Sequence, residues 1–149
     1  MTHTIGCFCI IFKSNKILLV KRKDFPLWDL PGGRKEQGES EIACVIREAK
    51  EECGYSISID QEIGRYKRAK YQDTQVVFST HILEECIDFT SDETKCIKWF
   101  PLHKLPYNLV PNRRLQIQHF KKGYSQLEIS LKDHHPLLVL QRFYKFLHK

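Results

Sequence analysis

Gly33-Arg34-Lys35-Glu36-Gln37-Gly38-Glu39, then seven residues, then Arg47-Glu48-Ala49-Lys50-Glu51-Glu52-Cys53-Gly54-Tyr55 is the stretch on which the reading of this chain turns. Ser40 to Cys53 has the marks of a helix. Ser40 suits an N-cap, Glu41 favours the positive first turn, and Gly54 stands where a left-handed C-terminal cap belongs. Ile42, Ile46, Ala49 and Cys53 recur at helical spacing and predict an apolar stripe turned to a core. Glu48 and Glu52, four apart, stack on a second face with Glu51 beside them. Carboxylates this close repel one another unless positive charge lies between them. Arg47 can pair with Glu51 one turn on. Ligands that are all oxygen favour Mg²⁺ or Mn²⁺ over zinc. A solvated acidic helix face would account for the charges alone. It would not account for Pro31-Gly32-Gly33 before the helix, Glu39 at its start and Gly54 at its end.

The segment resembles the Nudix box, G-x5-E-x7-R-E-U-x-E-E-x-G-U, in which U is a bulky apolar residue. Every fixed position is filled. Ala49 is small for the first U, and Tyr55 departs from the usual aliphatic at the second. Trp28-Asp29-Leu30-Pro31-Gly32-Gly33 is also similar to the run that many members carry before the box. The resemblance implies an α/β fold, an α/β/α sandwich around a mixed β-sheet, followed by C-terminal helices. It implies hydrolysis of a nucleoside diphosphate linked to some further group. By the same resemblance Glu48, Glu51 and Glu52 would hold the metal with the backbone carbonyl of Gly33. Glu39 would support the cluster, and Arg47 would orient a glutamate. Glu48 is also a candidate general base. The family sometimes places that base on a later loop, and Glu93 stands in about that position.

The remaining sequence fits one domain over 1–149. No signal peptide is evident, and the apolar run Ile5 to Phe12 is too short for a membrane span. The six cysteines form no CxxC pair, which predicts buried thiols in a reducing cytoplasm. Strands are expected at 5–12 and 16–21 around the turn Ser14-Asn15, and then near Trp28 to Leu30. Further strands are expected at 57–65, 75–84, 95–100 and 127–131. The strand at 75–84 would show Val77, Ser79, His81 and Leu83 on one face. Val110 to Lys122 fits a helix with Pro111 near its first turn. Leu137 to Leu147 reads as a second helix, packed on the sheet or forming a dimer surface, so monomer and homodimer both stay open.

Substrate choice rests on residues outside the box. Relatives that hydrolyse ADP-ribose tend to carry a proline after the box, and this chain has none between Pro31 and Pro101. Tyr71 could mark a diadenosine polyphosphate hydrolase. The favoured expectation is a small nucleotide, as in mutator-type enzymes. Trp28, Phe25, Phe78 and His81 are candidates to bound a base, Asn108 and Asn112 to bond its edge, and Arg22 or Lys23 to touch phosphate. A net charge of +6 includes the clusters Lys21-Arg22-Lys23, Arg65 to Lys70, Arg113-Arg114 and Lys121-Lys122. They suit a solvated surface first, steering of polyphosphates second and an RNA 5′ end third. A non-catalytic binding module ranks last, because no box glutamate is missing.

Overall fold

A computed structural model describes residues 2–86 and 94–132. Glu93 and the apolar stretch Leu137 to Leu147 lie outside the described residues. The chain opens with a hairpin, β1 (Thr4–Lys13) and β2 (Lys16–Arg22), in register at Phe12↔Ile17 and Lys13↔Lys16. Its two-residue turn is Ser14-Asn15, as expected, with φ of 53° and 62°. Two successive positive φ values match the right-handed twist of paired strands.

Strand β1 is the hub of the sheet. Short β3 (Trp28–Asp29) pairs with β2, whereas β4 (Gly32–Arg34), a segment read from sequence as loop, pairs antiparallel with β1. On its other side β1 runs parallel to β6 (Asp73–Glu85), from Thr4↔Asp73 to Ile11↔Thr80. β6 is antiparallel to β5 (Tyr55–Arg68), and β8 (Leu127–Ser130) adds parallel to β5. β7 (Thr94–Pro101) pairs with β2. The principal order is therefore β3-β2-β1-β6-β5-β8 in a mixed sheet.

Side chains alternate across this sheet, and each face gains a helix. Cys7, Cys9, Ile11, Leu18, Val20, Val76 and Phe78 pack with α1 (Glu41–Cys53). Phe8, Ile10, Ile17, Leu19, Val77 and Tyr66 pack with Ile117 and Phe120 of α2 (Arg113–Lys121). These are the three layers of an α/β/α sandwich. Helix α1 is bounded as expected. Ser40 Oγ accepts from Ala43 N at 3.0 Å, and Gly54, at φ 73°, donates to Lys50 O at 3.0 Å.

Three expectations need correction. The buried side of α1 is Cys44, Val45, Glu48, Ala49, Glu52 and Cys53, while Ile42 and Ile46 are 48% and 38% exposed. The small Cys44, Val45 and Ala49 fit against the strands, and the two glutamates share that side because it ends in a polar cleft. Helix α2 starts at Arg113 rather than Val110. The residue before a proline is disfavoured in the α region, and Val110 N is already bonded to Trp28 O at 2.8 Å. Cys86 and Cys96 are exposed, unlike the four other cysteines, although all six are free thiols. The expected face of β6 runs from buried Val77 through half-buried Ser79 to exposed His81 and Leu83. No helix among the described residues is long and apolar enough to cross a membrane.

Candidate active site

A cleft of about 1160 Å³ opens where the start of β1, β4 and the loop after it meet the buried side of α1. Gly33, Glu48 and Glu52 lie on its wall with Arg22, Arg34 and Lys35, and Gln75, Arg68 and Asp73 lie at the β5–β6 end. The resemblance placed three of these residues together. The fold does so because β4 pairs Gly33 with Cys7 while α1 crosses the same strand.

Arg47 organises the acids. Its Nε and Nη2 donate to the two carboxylate oxygens of Glu39 at 2.6 and 3.0 Å, and its Nη1 donates to both Glu48 and Glu51 at 3.0 Å. The expected partner Glu51 is thus real but secondary. The bidentate grip is on Glu39, the geometry in which arginine binds carboxylate best. This guanidinium, helped by the Glu36 N–H at 3.1 Å, pulls the Glu39 carboxyl down to about 2. Glu39 stays ionised throughout the physiological range.

Glu52 differs from the rest. It is 7% exposed, accepts from Gly32 N at 2.8 Å, and has no ion-pair partner among the described residues. Burial first, with Asp29 and Glu48 as negative neighbours, pushes its carboxyl up to about 8 against the Gly32 bond and Arg22. A buried carboxylate among acids is the environment that a cation relieves. Glu48, Glu51, Glu52 and the Gly33 carbonyl offer only hard oxygen atoms, which fits a divalent cation of the Mg²⁺ type. Among the described residues, no three side chains of the usual ligand types already converge on one point. Glu48 and Glu52 face the cleft, and Glu51 is half-exposed beside Arg47.

Two expected results arise here. A Glu52 carboxyl raised from 4.5 to about 8 means that the folded chain holds this proton more tightly than the unfolded chain does. Its contribution is full below the unfolded value and is lost as pH rises through the folded one, at about 1.4 kcal/mol per unit between them. In chelator, urea midpoints of the wild type should therefore fall more steeply from pH 5 to pH 9 than those of Glu52→Gln. Parallel slopes would reject this cause. The second result concerns Gly33, where an added Cβ would stand 2.5 Å from Glu48 Oε1. The clash is with the end of a flexible side chain, so Gly33→Ala should keep Tm within a few degrees while displacing Glu48. A misplacement of about 1 Å costs on the order of 10²-fold in rate, and activity near wild type would contradict it.

The other candidates are dispersed. Arg22 is on the cleft wall, bidentate to Asp24 at 2.8 and 3.0 Å. Trp28 packs edge-on to Phe100 at 4.8 Å, and its backbone bonds Asn108 and Val110, so it anchors the segment before α2 away from the cleft. Phe78 is buried between sheet and α1 and is not among the residues that line the cleft. Asn112 stands at the N-cap position of α2 with φ 74° and no side-chain capping bond, apart from the cleft lining. His81 pairs with Asp60 at 2.6 Å on the exposed end of β6. Tyr71 lies under the Arg68 guanidinium, 4.9 Å from the ring centroid. Arg113, read as part of a surface cluster, is 2% exposed and bonded to Asp29. The sequence reading missed Phe8 and Gln75 on the cleft lining and the Arg113 network behind them. The Arg113/Gln116 spacing of three on a predicted helix was the available signal.

A three-layer mixed sheet with an arginine-gripped glutamate cluster at a cleft defines a class of metal-assisted hydrolases. The chain belongs to the Nudix family, as residues 2–120 match the model of the NUDIX domain. It is a hydrolase of pyrophosphate bonds, and enzymes of this family generally use divalent metal ions. The "Putative 8-oxo-dGTP diphosphatase" of Bacillus subtilis (strain 168) is 44% identical over 132 residues, covering 88% of this chain and 89% of that protein. An ADP-ribose pyrophosphatase of Methanocaldococcus jannaschii is 36% identical over 103 residues, covering 65% of this chain and 61% of that one. In fold, the crystal structure of an ADP-ribose pyrophosphatase from Streptococcus suis superposes with a TM-score of 0.73 at 24% identity, over 87% of this chain and 100% of that one.

Proposed function

We propose that the chain hydrolyses the diphosphate linkage of a nucleoside triphosphate or diphosphate, with an oxidised or 6-oxo purine nucleotide as the favoured substrate and Mg²⁺ or Mn²⁺ as the cation. The observation that carries this reading is Glu52, a buried carboxylate with acidic neighbours and a single N–H partner at the cleft wall. The 44% identity to a protein named for 8-oxo-dGTP supports the choice of base.

Glu48, Glu51, Glu52 and the Gly33 carbonyl would hold the cations. When bound, such cations neutralise adjacent phosphates, polarise the P–O bond and lower the pKa of water. Arg47 and Glu39 position Glu48 and Glu51 without touching substrate. Arg22, Arg34 and Lys35 give the cleft a basic rim for the phosphates. Glu48, buried and within reach of the cleft, is the proposed proton acceptor for the attacking water, with Glu93 the other candidate. Six free thiols support a reducing, cytoplasmic setting.

The test is hydrolysis of a panel with and without Mg²⁺: common NTPs and NDPs, 8-oxo-dGTP, ADP-ribose, diadenosine tetraphosphate and 5′-triphosphate RNA. Mg²⁺-dependent turnover highest on 8-oxo-dGTP or another 6-oxo purine nucleotide supports the proposal, and highest turnover on ATP removes its choice of base. Highest turnover on ADP-ribose or on RNA replaces it.

A further inference from the structure

Behind the cleft lies a buried polar network that the reaction above does not use. Arg113 Nε donates to Asp29 Oδ1 at 2.5 Å, and its Nη1 donates to Gln75 Oε1 and Gln116 Oε1 at 2.9 Å each. Gln116 Nε2 donates to Gln75 Oε1 at 3.0 Å. All four side chains are more than nine-tenths buried.

The network has a fixed polarity. A guanidinium carries donors only, so the Gln75 atom facing Arg113 must be the oxygen. That oxygen meets two donors, and the amide cannot flip without setting its own NH₂ against both. The nitrogen of Gln75 is thereby left over. Gln75 is 5% exposed, lines the cleft, and its Nε2 has no partner among the described residues. A buried donor in that position is costly unless a ligand accepts from it. Phe8 lines the same floor, backed by the Arg113 guanidinium 3.7 Å from its ring centroid. Only a small part of this residue, 8% exposed, meets the cleft.

We propose that Gln75 Nε2 donates to a carbonyl oxygen on the substrate's base, so that the cleft prefers a 6-oxo purine to a 6-amino purine. This inference rests on the nucleotide reading given above. An amino group at position six would set donor against donor, and a site built to donate rejects the analogue that cannot accept. Arg113 and Gln116 are positioning residues that hold the amide in this orientation.

The experiment compares kcat/KM for ITP and ATP, which share ribose and phosphates, in the wild type and in Gln75→Glu. The wild type is expected to favour ITP by at least about tenfold. An ionised glutamate keeps the bond to Arg113 but has no donor, so the ratio should fall to near one, mainly through KM for ITP. If Gln75→Glu does not fold, Gln75→Met removes the donor without adding charge, and the wild-type ratio is itself decisive. A wild type that cleaves nucleotides without favouring ITP overturns this inference and leaves the hydrolase reading intact, and so does a Gln75 variant that keeps the preference. A wild type that cleaves no nucleotide overturns both.

Discussion

Glu52→Gln is expected to lower kcat on the preferred nucleotide by on the order of 10³-fold while the protein stays folded. The substitution keeps a side-chain oxygen for the Gly32 N–H and removes only the negative charge. Stability should hold, because the charge lost is one that burial and its acidic neighbours already disfavour. What disappears is the buried anion that the proposed reaction assigns to a cation beside Glu48. The contrast with Glu51→Gln makes the result specific. Glu51 is half-exposed and shares one Arg47 nitrogen with Glu48, so its loss should cost less. Rapid-quench measurement of phosphate or pyrophosphate release across Mg²⁺ concentrations separates weakened cation binding from a lost chemical step. A Glu52→Gln enzyme within tenfold of wild type at saturating Mg²⁺ would remove Glu52 from the reaction.

Arg113→Ala should be the most damaging change to the fold, at about 3–5 kcal/mol. It leaves Asp29 buried without its cation, strips Gln75 and Gln116 of a donor, and uncovers one face of Phe8. At roughly 2–4 °C per kcal/mol for a domain of this size, Tm should drop by about 6–20 °C. Removing both charges at once tests the cause. Asp29→Asn with Arg113→Met should recover much of the loss, since a buried pair is often replaceable as a unit although half of it is not. Urea unfolding of the single and double variants gives the coupling directly. A single variant within about 1 kcal/mol of wild type would mean that water reaches Asp29.

The sequence carried the glutamate cluster well because its parts are local. One loop and one helix hold every member, and the N-cap Ser40, the C-cap Gly54 and the fixed spacing could all be read along the chain. Ile42 and Ile46 misled, because hydrophobic periodicity assumes that the buried side is apolar, and here Glu48 and Glu52 occupy it. Helix α2 began late for a reason that involves Trp28, more than eighty positions earlier, whose carbonyl takes the Val110 N–H. The Arg113 network was harder still. Asp29, Gln75, Arg113 and Gln116 meet only after β3, β6 and α2 have packed, and an Arg-Arg pair before a helix resembles ordinary surface charge. Phe78 and Trp28 illustrate the converse. Aromatic residues suit a base in principle, yet which face of a strand looks into the cleft is decided by register, where one step reverses inside and outside.

The position of the cleft within the sheet also bears on how the protein moves. Its floor is built on β1, which is paired with β2, β4 and β6, and on β6, which is paired on both sides. Amides in such strands exchange with solvent only through large openings. Hydrogen exchange should therefore find the cleft floor among the slowest parts of the molecule and the loop from Lys35 to Glu39 among the faster ones. Selection among bases would then be made by a surface that does not adapt, and accommodation of different phosphate chains would fall to the rim.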